Sequence, residues 1–188
     1  AIIPSVTPHG YAIPFYFYDV FMKHNGFYAE AEQMIDDTLF QSFPSVRENR
    51  LKEFRKRIKE TGILPNWMLN ALNDLQESFP DDAPIRARSS TNNEDLQGFN
   101  GAGLYESYTH HKEEGHFAKT AKQVWAGLWT YRAFEERDFW RIDHMSAAMG
   151  ILVHQNFENE TSNGVGVTKN IYLPGPGWEG HYVNVQIG

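Results

Sequence analysis

The residues of this chain best suited to chemistry form a cationic segment that runs into a glycine-rich one. From Arg86 the sequence reads Arg-Ala-Arg-Ser-Ser-Thr-Asn-Asn-Glu-Asp, and from Gly98 it reads Gly-Phe-Asn-Gly-Ala-Gly-Leu-Tyr-Glu-Ser. Alternation along a strand places Arg86, Arg88 and Ser90 on one face. Guanidinium groups are bidentate donors, and glycine lets backbone N–H groups approach an anion. The pattern indicates a phosphate site; a strand with surface arginines followed by a flexible loop is the competing interpretation.

Other sequence motifs for phosphate, cofactor or metal chemistry are absent. The chain has no Gly-x-x-x-x-Gly-Lys-Ser/Thr phosphate loop, and Gly98-x-x-Gly101-x-Gly103 is not the dinucleotide fingerprint. No Gly-x-Ser-x-Gly nucleophile elbow occurs. The histidines of residues 110–116 lack the His-Glu-x-x-His pattern, so solvated histidines at a turn explain them better than a metal site does.

Composition narrows the class of protein. The 188 residues are 41% hydrophobic and 14% aromatic, enough for one sizeable core and one domain. The net charge of −7 argues against binding nucleic acid through a broad basic surface. With no cysteine, the chain has neither disulfides nor a thiolate nucleophile. No apolar run is long enough to span a membrane and no secretory pattern opens the chain, so we expect a cytoplasmic protein.

The elements that would position the cationic segment follow from apolar spacing. Residues 14–79 read as helices, with Trp67 and Leu72 at positions suited to burial. We predict these helices over 14–23, over 27–40, from a capping box at Ser45-Val-Arg-Glu48 to near Gly62, and from Pro65 to Phe79.

The second part of the chain, residues 80–188, is predicted to contain the sheet. We expect strands at 85–90, 104–109, 147–153, 164–168 and 182–187, with helices over 112–129 and 131–142. The apolar stripe of the first of these helices places Trp125 and Trp129 in the core. The predicted fold class is therefore α+β, a helical N-terminal region followed by a mixed β-sheet with covering helices, in one domain over 1–188.

Several separated motifs together resemble one protein family. They are Pro8-His-Gly-Tyr-Ala-Ile13, Arg88-Ser-Ser, Glu94-Asp95-Leu96, Gly101-Ala-Gly103 with Ser107, Val124-Trp-Ala-Gly-Leu-Trp-Thr-Tyr-Arg-Ala133 with Arg137, Met149-Gly-Ile-Leu-Val-His154, Asn163-Gly-Val165 and Tyr182-Val-Asn-Val-Gln186. In this order they resemble the N-terminal ATP-binding (PEP/pyruvate-binding) domain of phosphoenolpyruvate synthase and pyruvate phosphate dikinase, a domain that rifampin phosphotransferase and the glucan water dikinases share.

This resemblance implies an ATP-grasp-like nucleotide site between two α+β subdomains. It implies ATP and Mg²⁺ as cofactors, and phosphoryl transfer to a histidine on a separate domain of the parent chain and then to an acceptor such as pyruvate. The family's Gly-Gly-Lys segment and its later acidic and Gln residues are not found in this chain. We therefore expect a piece of a larger enzyme, truncated at both ends, which does not turn over alone.

The resemblance also assigns roles to individual residues. It implies that ATP and its phosphates are bound by Arg88, the backbone of Gly101 and Gly103, the hydroxyl of Ser107, Arg132, and His154, which stands where many relatives place a Gln. Each has a structural alternative: a tight turn for the glycines, a surface pair with Glu136 for Arg132, and a core histidine for His154. Arg137 is expected to be structural.

Two other functions stay open at this level. One is a domain of the same fold that binds a nucleotide or a partner protein without catalysis, in a regulatory role. The other is a carbohydrate-binding module, suggested by the aromatic content, although most aromatic residues fall at core spacing. The preferred prediction is the ATP-binding portion of an ATP-dependent phosphotransferase whose acceptor is not encoded in these residues.

Overall fold

The computed structural model describes residues 8–94, 101, 103–158, 160–172 and 180–187. The chain divides into two compact units, Ala1–Asn156 and Phe157–Gly188. The first unit contains helices and a four-stranded sheet, and the second contains a two-stranded sheet. A single nucleotide-binding domain over 1–188 stays a prediction.

The first unit begins with one strand and a run of five helices, and strands and helices are interspersed only after that. The elements are β1 (Gly10–Ile13), α1 (Phe15–His24), α2 (Phe27–Asp36), α3 (Thr38–Ser42), α4 (Pro44–Glu60), α5 (Asn66–Glu77), β2 (Ile85–Thr91), β3 (Tyr108–His110), a 3-10 helix (Lys112–Glu114), α6 (Ala118–Ala126), a second 3-10 helix (Gly127–Trp129), α7 (Tyr131–Phe139) and β4 (Met149–Gln155). In the described part of the chain, no helix is both long and apolar enough to cross a membrane.

The helical region differs from its prediction at two helix starts. The segment predicted over 27–40 is interrupted at Asp37, whose carboxylate accepts hydrogen bonds from the N–H groups of Leu39 and Phe40 and so caps α3. The predicted capping box is wrong, because α4 begins at Pro44 and Ser45 already lies in its first turn. Proline is well suited to the first helical position, where its missing N–H costs nothing.

For one side chain of α5, the predicted burial is wrong. Leu72 is buried as expected, but Trp67 is 45% exposed. Its ring stacks on that of Tyr16 with centroids 6.1 Å apart and meets Phe17 edge-on at 5.2 Å. Trp67 therefore packs against α1 at the surface rather than in the core.

The four-stranded sheet is antiparallel at each junction, in the order β1-β4-β2-β3. The prediction of a mixed sheet is wrong for the described strands, because all three neighbouring pairs are antiparallel and none is parallel. The register of β2 and β4 sets Arg86 opposite His154, Arg88 opposite Leu152 and Ser90 opposite Gly150. Strand β3 is shorter than the predicted 104–109, so the chain before Tyr108 reaches β2 through side-chain contacts instead.

The core lies between the helices and one face of this sheet. Ile85 and Ala87 of β2 are fully buried, and Trp125 and Trp129 are 0% and 1% exposed, as predicted. Trp125 packs on Phe21 with ring centroids 5.0 Å apart. Burial of side chains of this size contributes about 1.5–3 kcal/mol each. Because this packing holds Ile85 and Ala87 against the core, the residues that alternate with them in β2 face outward.

The second unit is a hairpin of β5 (Ser162–Val167) and β6 (Tyr182–Ile187). The strands are antiparallel, with Ser162 opposite Ile187 and Val167 opposite Tyr182. Most of the hairpin's side chains are exposed, which is expected for a sheet that contains two strands among the described residues.

Candidate functional site

Strand β2 presents Arg86, Arg88 and Ser90 on its outward face, as the alternation of residues in the sequence predicted. Ile85 and Ala87 are buried, Arg86 is half-buried, and Arg88 and Ser90 are exposed. The outward side chains therefore form a row along the strand, next to the side chains that β4 presents on the same face of the sheet.

Arg88 is held in this row by a histidine from the neighbouring strand. The Nε–H of Arg88 donates to Nε2 of His154 at 2.9 Å. Nδ1 of His154 lies 2.7 Å from the carbonyl oxygen of Gln155, so the ring carries its proton on Nδ1 and accepts from Arg88 at Nε2. The contact uses only Nε, and among the described residues no carboxylate pairs with Arg88. The terminal donors of its guanidinium are therefore not committed to an acid.

Arg86 lies further along the same face and is tied to the edge strand. Its Nη1 donates to the hydroxyl of Thr109 at 3.0 Å, and the two residues are directly opposite in the β2–β3 pairing. That partner is a neutral hydroxyl, and among the described residues no carboxylate pairs with Arg86, so this face carries the charges of both Arg86 and Arg88.

The glycine segment, residues 94–104, follows β2 in the sequence, and the structure describes residues 94, 101, 103 and 104 of it. Gly103 has φ +75°, a conformation that L-residues other than glycine rarely adopt, and open space surrounds the position of a Cβ there. The N–H of Gly101 donates to the carbonyl of Glu94 at 2.9 Å, and that of Leu104 donates to Gly101 at 3.0 Å. The Gly101 amide thus closes a turn. Asp95, Leu96 and Gly98 of the predicted motif lie outside the described residues.

Ser107 joins the end of the glycine segment to β2. Its Oγ accepts a hydrogen bond from the backbone N–H of Ser89 at 3.3 Å. The hydroxyl of Ser89 in turn donates to the carbonyl of Tyr105 at 3.4 Å. Ser107 is half-buried and lies beside the strand that carries Arg88, so the structure brings these two predicted residues to one region.

Arg132 is not tied to that region by any contact in the described part of the chain. It is exposed on α7, a helix that packs on α4 and on the second 3-10 helix. Arg137, on the same helix, is fully buried and donates to the carbonyl of Leu128 at 2.7 Å, which confirms that it is structural.

A shallow apolar groove, about 380 Å³ in volume, adjoins the outward face of the sheet at Ser90. Its walls include Ile13 and Phe15 from the β1–α1 junction and Gly150 and Leu152 from β4. A Cβ added to Gly150 would lie 3.3 Å from the Phe15 ring, so glycine permits this close approach. Sequence reasoning missed the groove, because its walls come from segments more than 130 residues apart in the sequence that only the β1–β4 pairing brings together.

The histidines near β3 differ from their prediction. His110 is fully buried, with Nδ1 2.8 Å from the hydroxyl of Thr120, and burial lowers its pKa. It is a core residue and not a solvated one, because β3 continues one residue further than predicted and turns it inward. Across the described ranges, no three His, Asp or Glu side chains are grouped so that they could hold a metal ion.

The structure is thus an α+β domain whose antiparallel sheet presents arginines, groups of the kind that bind anions. Residues 5–184 match the sequence model of the family described as pyruvate phosphate dikinase, AMP/ATP-binding domain, and the chain belongs to that family.

Two relatives agree with this membership. Phosphoenolpyruvate synthase of Aeropyrum pernix is 28% identical over 164 residues, which cover 85% of this chain and 20% of that protein. An uncharacterized phosphotransferase of Bacillus subtilis (strain 168), YvkC, is 29% identical over 125 residues, 62% of this chain and 15% of that protein. The chain spans a fifth or less of the length of these relatives. The resemblance drawn from the separated motifs is confirmed.

Proposed function

We propose that the outward face of β2 and the glycine segment bind the phosphate groups of ATP in a phosphotransferase that contains this chain. The observation that carries the proposal is Arg88, an exposed cation oriented by a neutral histidine instead of by an acid. A guanidinium held in this way keeps fixed donors and its full charge for an anionic ligand.

The chemistry of phosphoryl transfer suits these groups. Catalysis of such a transfer depends mainly on positioning and on neutralising the charge of the phosphates. Arg86 and Arg88 supply positive charge along one strand, and Gly103 supplies backbone that an anion can approach closely. Ser107 adds a hydroxyl at the same edge, while Arg132 and His154 stay predicted nucleotide contacts.

The apolar groove beside Ser90 suits the nucleoside part of the ligand. Nucleotide sites combine apolar walls for the base with a few polar groups that fix orientation. In this proposal the phosphates lie along the arginines and the base lies against Phe15 and Leu152, in an ATP-grasp-like arrangement of two subdomains.

The resemblance implies further features that the described residues do not supply. Mg²⁺ stays a prediction from the sequence, since among the described residues no three acidic or histidine side chains are grouped so that they could hold a metal ion. Transfer through a phosphohistidine on another domain, a final acceptor and a cytoplasmic location stay predictions from the sequence.

The test is calorimetry of Mg-ATP binding to the full-length protein and to its Arg88→Ala variant. Loss of a charge-assisted phosphate contact should weaken binding by about 1.5–3 kcal/mol, or about 10- to 150-fold in Kd. Arg57→Ala is a matched control, because Arg57 is a cation on α4 that pairs with Glu30. Its affinity for Mg-ATP should equal that of the wild type.

Two results would count against the proposal. An Arg88→Ala variant that binds Mg-ATP as tightly as the wild type would remove Arg88 from the site. Binding of sugars without binding of nucleotide would favour a carbohydrate-binding module instead, for which the exposed pair Tyr16 and Trp67 would be the stacking surface.

A further inference from the structure

The imidazole of His154 lies next to the two arginines of β2. In the sheet, His154 is directly opposite Arg86 of β2 on one side and Gly10 of β1 on the other. Because Gly10 has no side chain, β1 offers the ring no side-chain partner at this position. The charged side chains that the neighbouring strands place beside the ring are therefore those of Arg86 and Arg88.

Both nitrogens of this imidazole are already in use. Nδ1 donates to the carbonyl oxygen of Gln155 at 2.7 Å, and Nε2 accepts from Nε of Arg88 at 2.9 Å. A neutral imidazole has one donor and one acceptor, and these two partners occupy them both. His154 therefore has no hydrogen-bonding group left for a nucleotide, which the amide of a glutamine at this position would have.

The hydrogen bond to His154 leaves the end of the Arg88 guanidinium open. Of the five N–H donors of a guanidinium, the contact uses the single one at Nε. The residue directly opposite Arg88 in β4 is Leu152, whose side chain has no polar atom. Between described residues, no other hydrogen bond or ion pair involves the Arg88 side chain, so the four donors of Nη1 and Nη2 are available to a ligand.

Arg88 is exposed, and a long exposed side chain loses rotamer freedom when a ligand orders it. A hydrogen bond that exists before the ligand arrives has already restricted that freedom. Arg88 held by His154 should therefore bind an anion more tightly than the same side chain would without this acceptor.

We propose that His154 is a positioning residue, which fixes the guanidinium of Arg88 so that its terminal donors receive a phosphate. The inference rests on the proposed function, since it gives Arg88 a phosphate to bind. It differs from the direct nucleotide contact that the resemblance implies for this position, because His154 acts through Arg88 and touches no ligand. The signature of such a role is an effect on binding that disappears when Arg88 is removed.

The test compares two amides of different length at this position, by calorimetry of Mg-ATP binding to the full-length protein. In His154→Asn the amide ends near the place of Nδ1, so it can still bond to Gln155 but does not reach Arg88. In His154→Gln the amide oxygen can take the place of Nε2 and accept from Arg88. We expect Mg-ATP to bind about three- to tenfold more weakly to His154→Asn, and within about twofold of the wild-type affinity to His154→Gln.

The same replacements in the Arg88→Ala variant separate positioning from direct contact. Without the guanidinium there is nothing to position, so Arg88→Ala should bind Mg-ATP within about twofold of its double variants with His154→Asn and with His154→Gln. A side chain that touched the nucleotide itself would keep its effect in this background. His24→Asn is a matched control, because His24 is an exposed histidine in the last turn of α1, and its affinity should equal that of the wild type.

Each outcome decides one claim. A wild type that does not bind Mg-ATP, or whose affinity Arg88→Ala leaves unchanged, would overturn the proposed function. If the wild type binds and Arg88→Ala weakens it, three results would overturn the positioning role alone: an unchanged affinity in His154→Asn, an equal loss in His154→Gln, or a loss of the same size with and without Arg88. If His154→Asn does not fold, His154→Leu also removes the acceptor and must show the loss with Arg88 and not without it; any other result would overturn the positioning role.

Discussion

Arg88 and Arg137 carry the same side chain in opposite environments. Arg88 stands on an exposed sheet face, and Arg137 is fully buried. The exposure of Arg88 could be predicted, because Ile85 and Ala87 alternate with it and demand burial. The partners of Arg137 could not be predicted, because they come from three separate segments of the chain. These contacts of Arg137 therefore left no signal in the sequence.

Burial of a neutral histidine beside Arg137 makes the stability of the fold depend on pH. The ring of His144 stacks on that of Phe134, with centroids 3.8 Å apart. Burial first, and then the charge of Arg137, lowers the pKa of His144 to about 4. In the unfolded chain a histidine takes up its proton near pH 6.5, so between these values the unfolded state binds more protons and stability falls with falling pH.

We predict that the free energy of unfolding decreases by about 1–2 kcal/mol between pH 7 and pH 5. His144→Asn keeps an acceptor for Arg137 but takes up no proton, and it should flatten this dependence. The measurement is urea denaturation of the full-length protein at a series of pH values. The control His111→Asn changes a half-exposed histidine and should leave the slope as in the wild type. An unchanged slope in His144→Asn would contradict the account.

At the scale of secondary structure, local sequence patterns predicted which segments form helices and strands more accurately than where those elements begin and end. The helices α1, α4 and α5 overlap the segments predicted for them, and β2 extends over the predicted strand with one more residue. The ends differed where two start signals competed, as at Pro44 and Ser45, and where a polar residue, Asp37, interrupted a periodic run. The length of β3 was overestimated, because the residues before it bond to β2 through the side chains of Ser107 and Ser89 instead of through backbone ladder bonds.

One buried side chain connects α5 with the chain that enters α6. Oε1 of Gln76 accepts from the N–H of Phe117 at 2.7 Å, and its Nε2 donates to the carbonyl of Gly115 at 3.2 Å. Gln76 is 7% exposed and Phe117 is fully buried, so the N–H of Phe117 would lack a partner if the amide were removed, whereas the exposed Gly115 can bind water. A buried group left unsatisfied costs about 1–3 kcal/mol.

We therefore predict that Gln76→Leu lowers the free energy of unfolding by about 1–3 kcal/mol. Glu77→Leu, an exposed change on the same helix, should alter it by less than about 0.5 kcal/mol. Chemical denaturation of both variants measures the difference. Equal stability of the two variants would mean that the amide does not support the junction.

For the molecule as a whole, the sequence predicted membership in the family, but it did not predict how the strands of the sheet pair. Motifs spread from Pro8 to Gln186 occur in one order, and that order carries more information than any single motif. The directions of the strands depend on pairings between distant segments, such as β1 with β4, and these leave no local pattern. The apolar groove depends on the same pairings, so it too became visible only in three dimensions.

The central claim, that Arg88 and the glycine segment receive the phosphates of ATP, has one most direct test. It is the crystal structure of the full-length protein with a non-hydrolysable ATP analogue. We predict phosphate oxygens at about 2.7–3.2 Å from the guanidinium of Arg88, with Gly103 facing the same phosphates. A nucleotide whose phosphates lie away from β2, with Arg88 still bonded only to His154, would contradict the account.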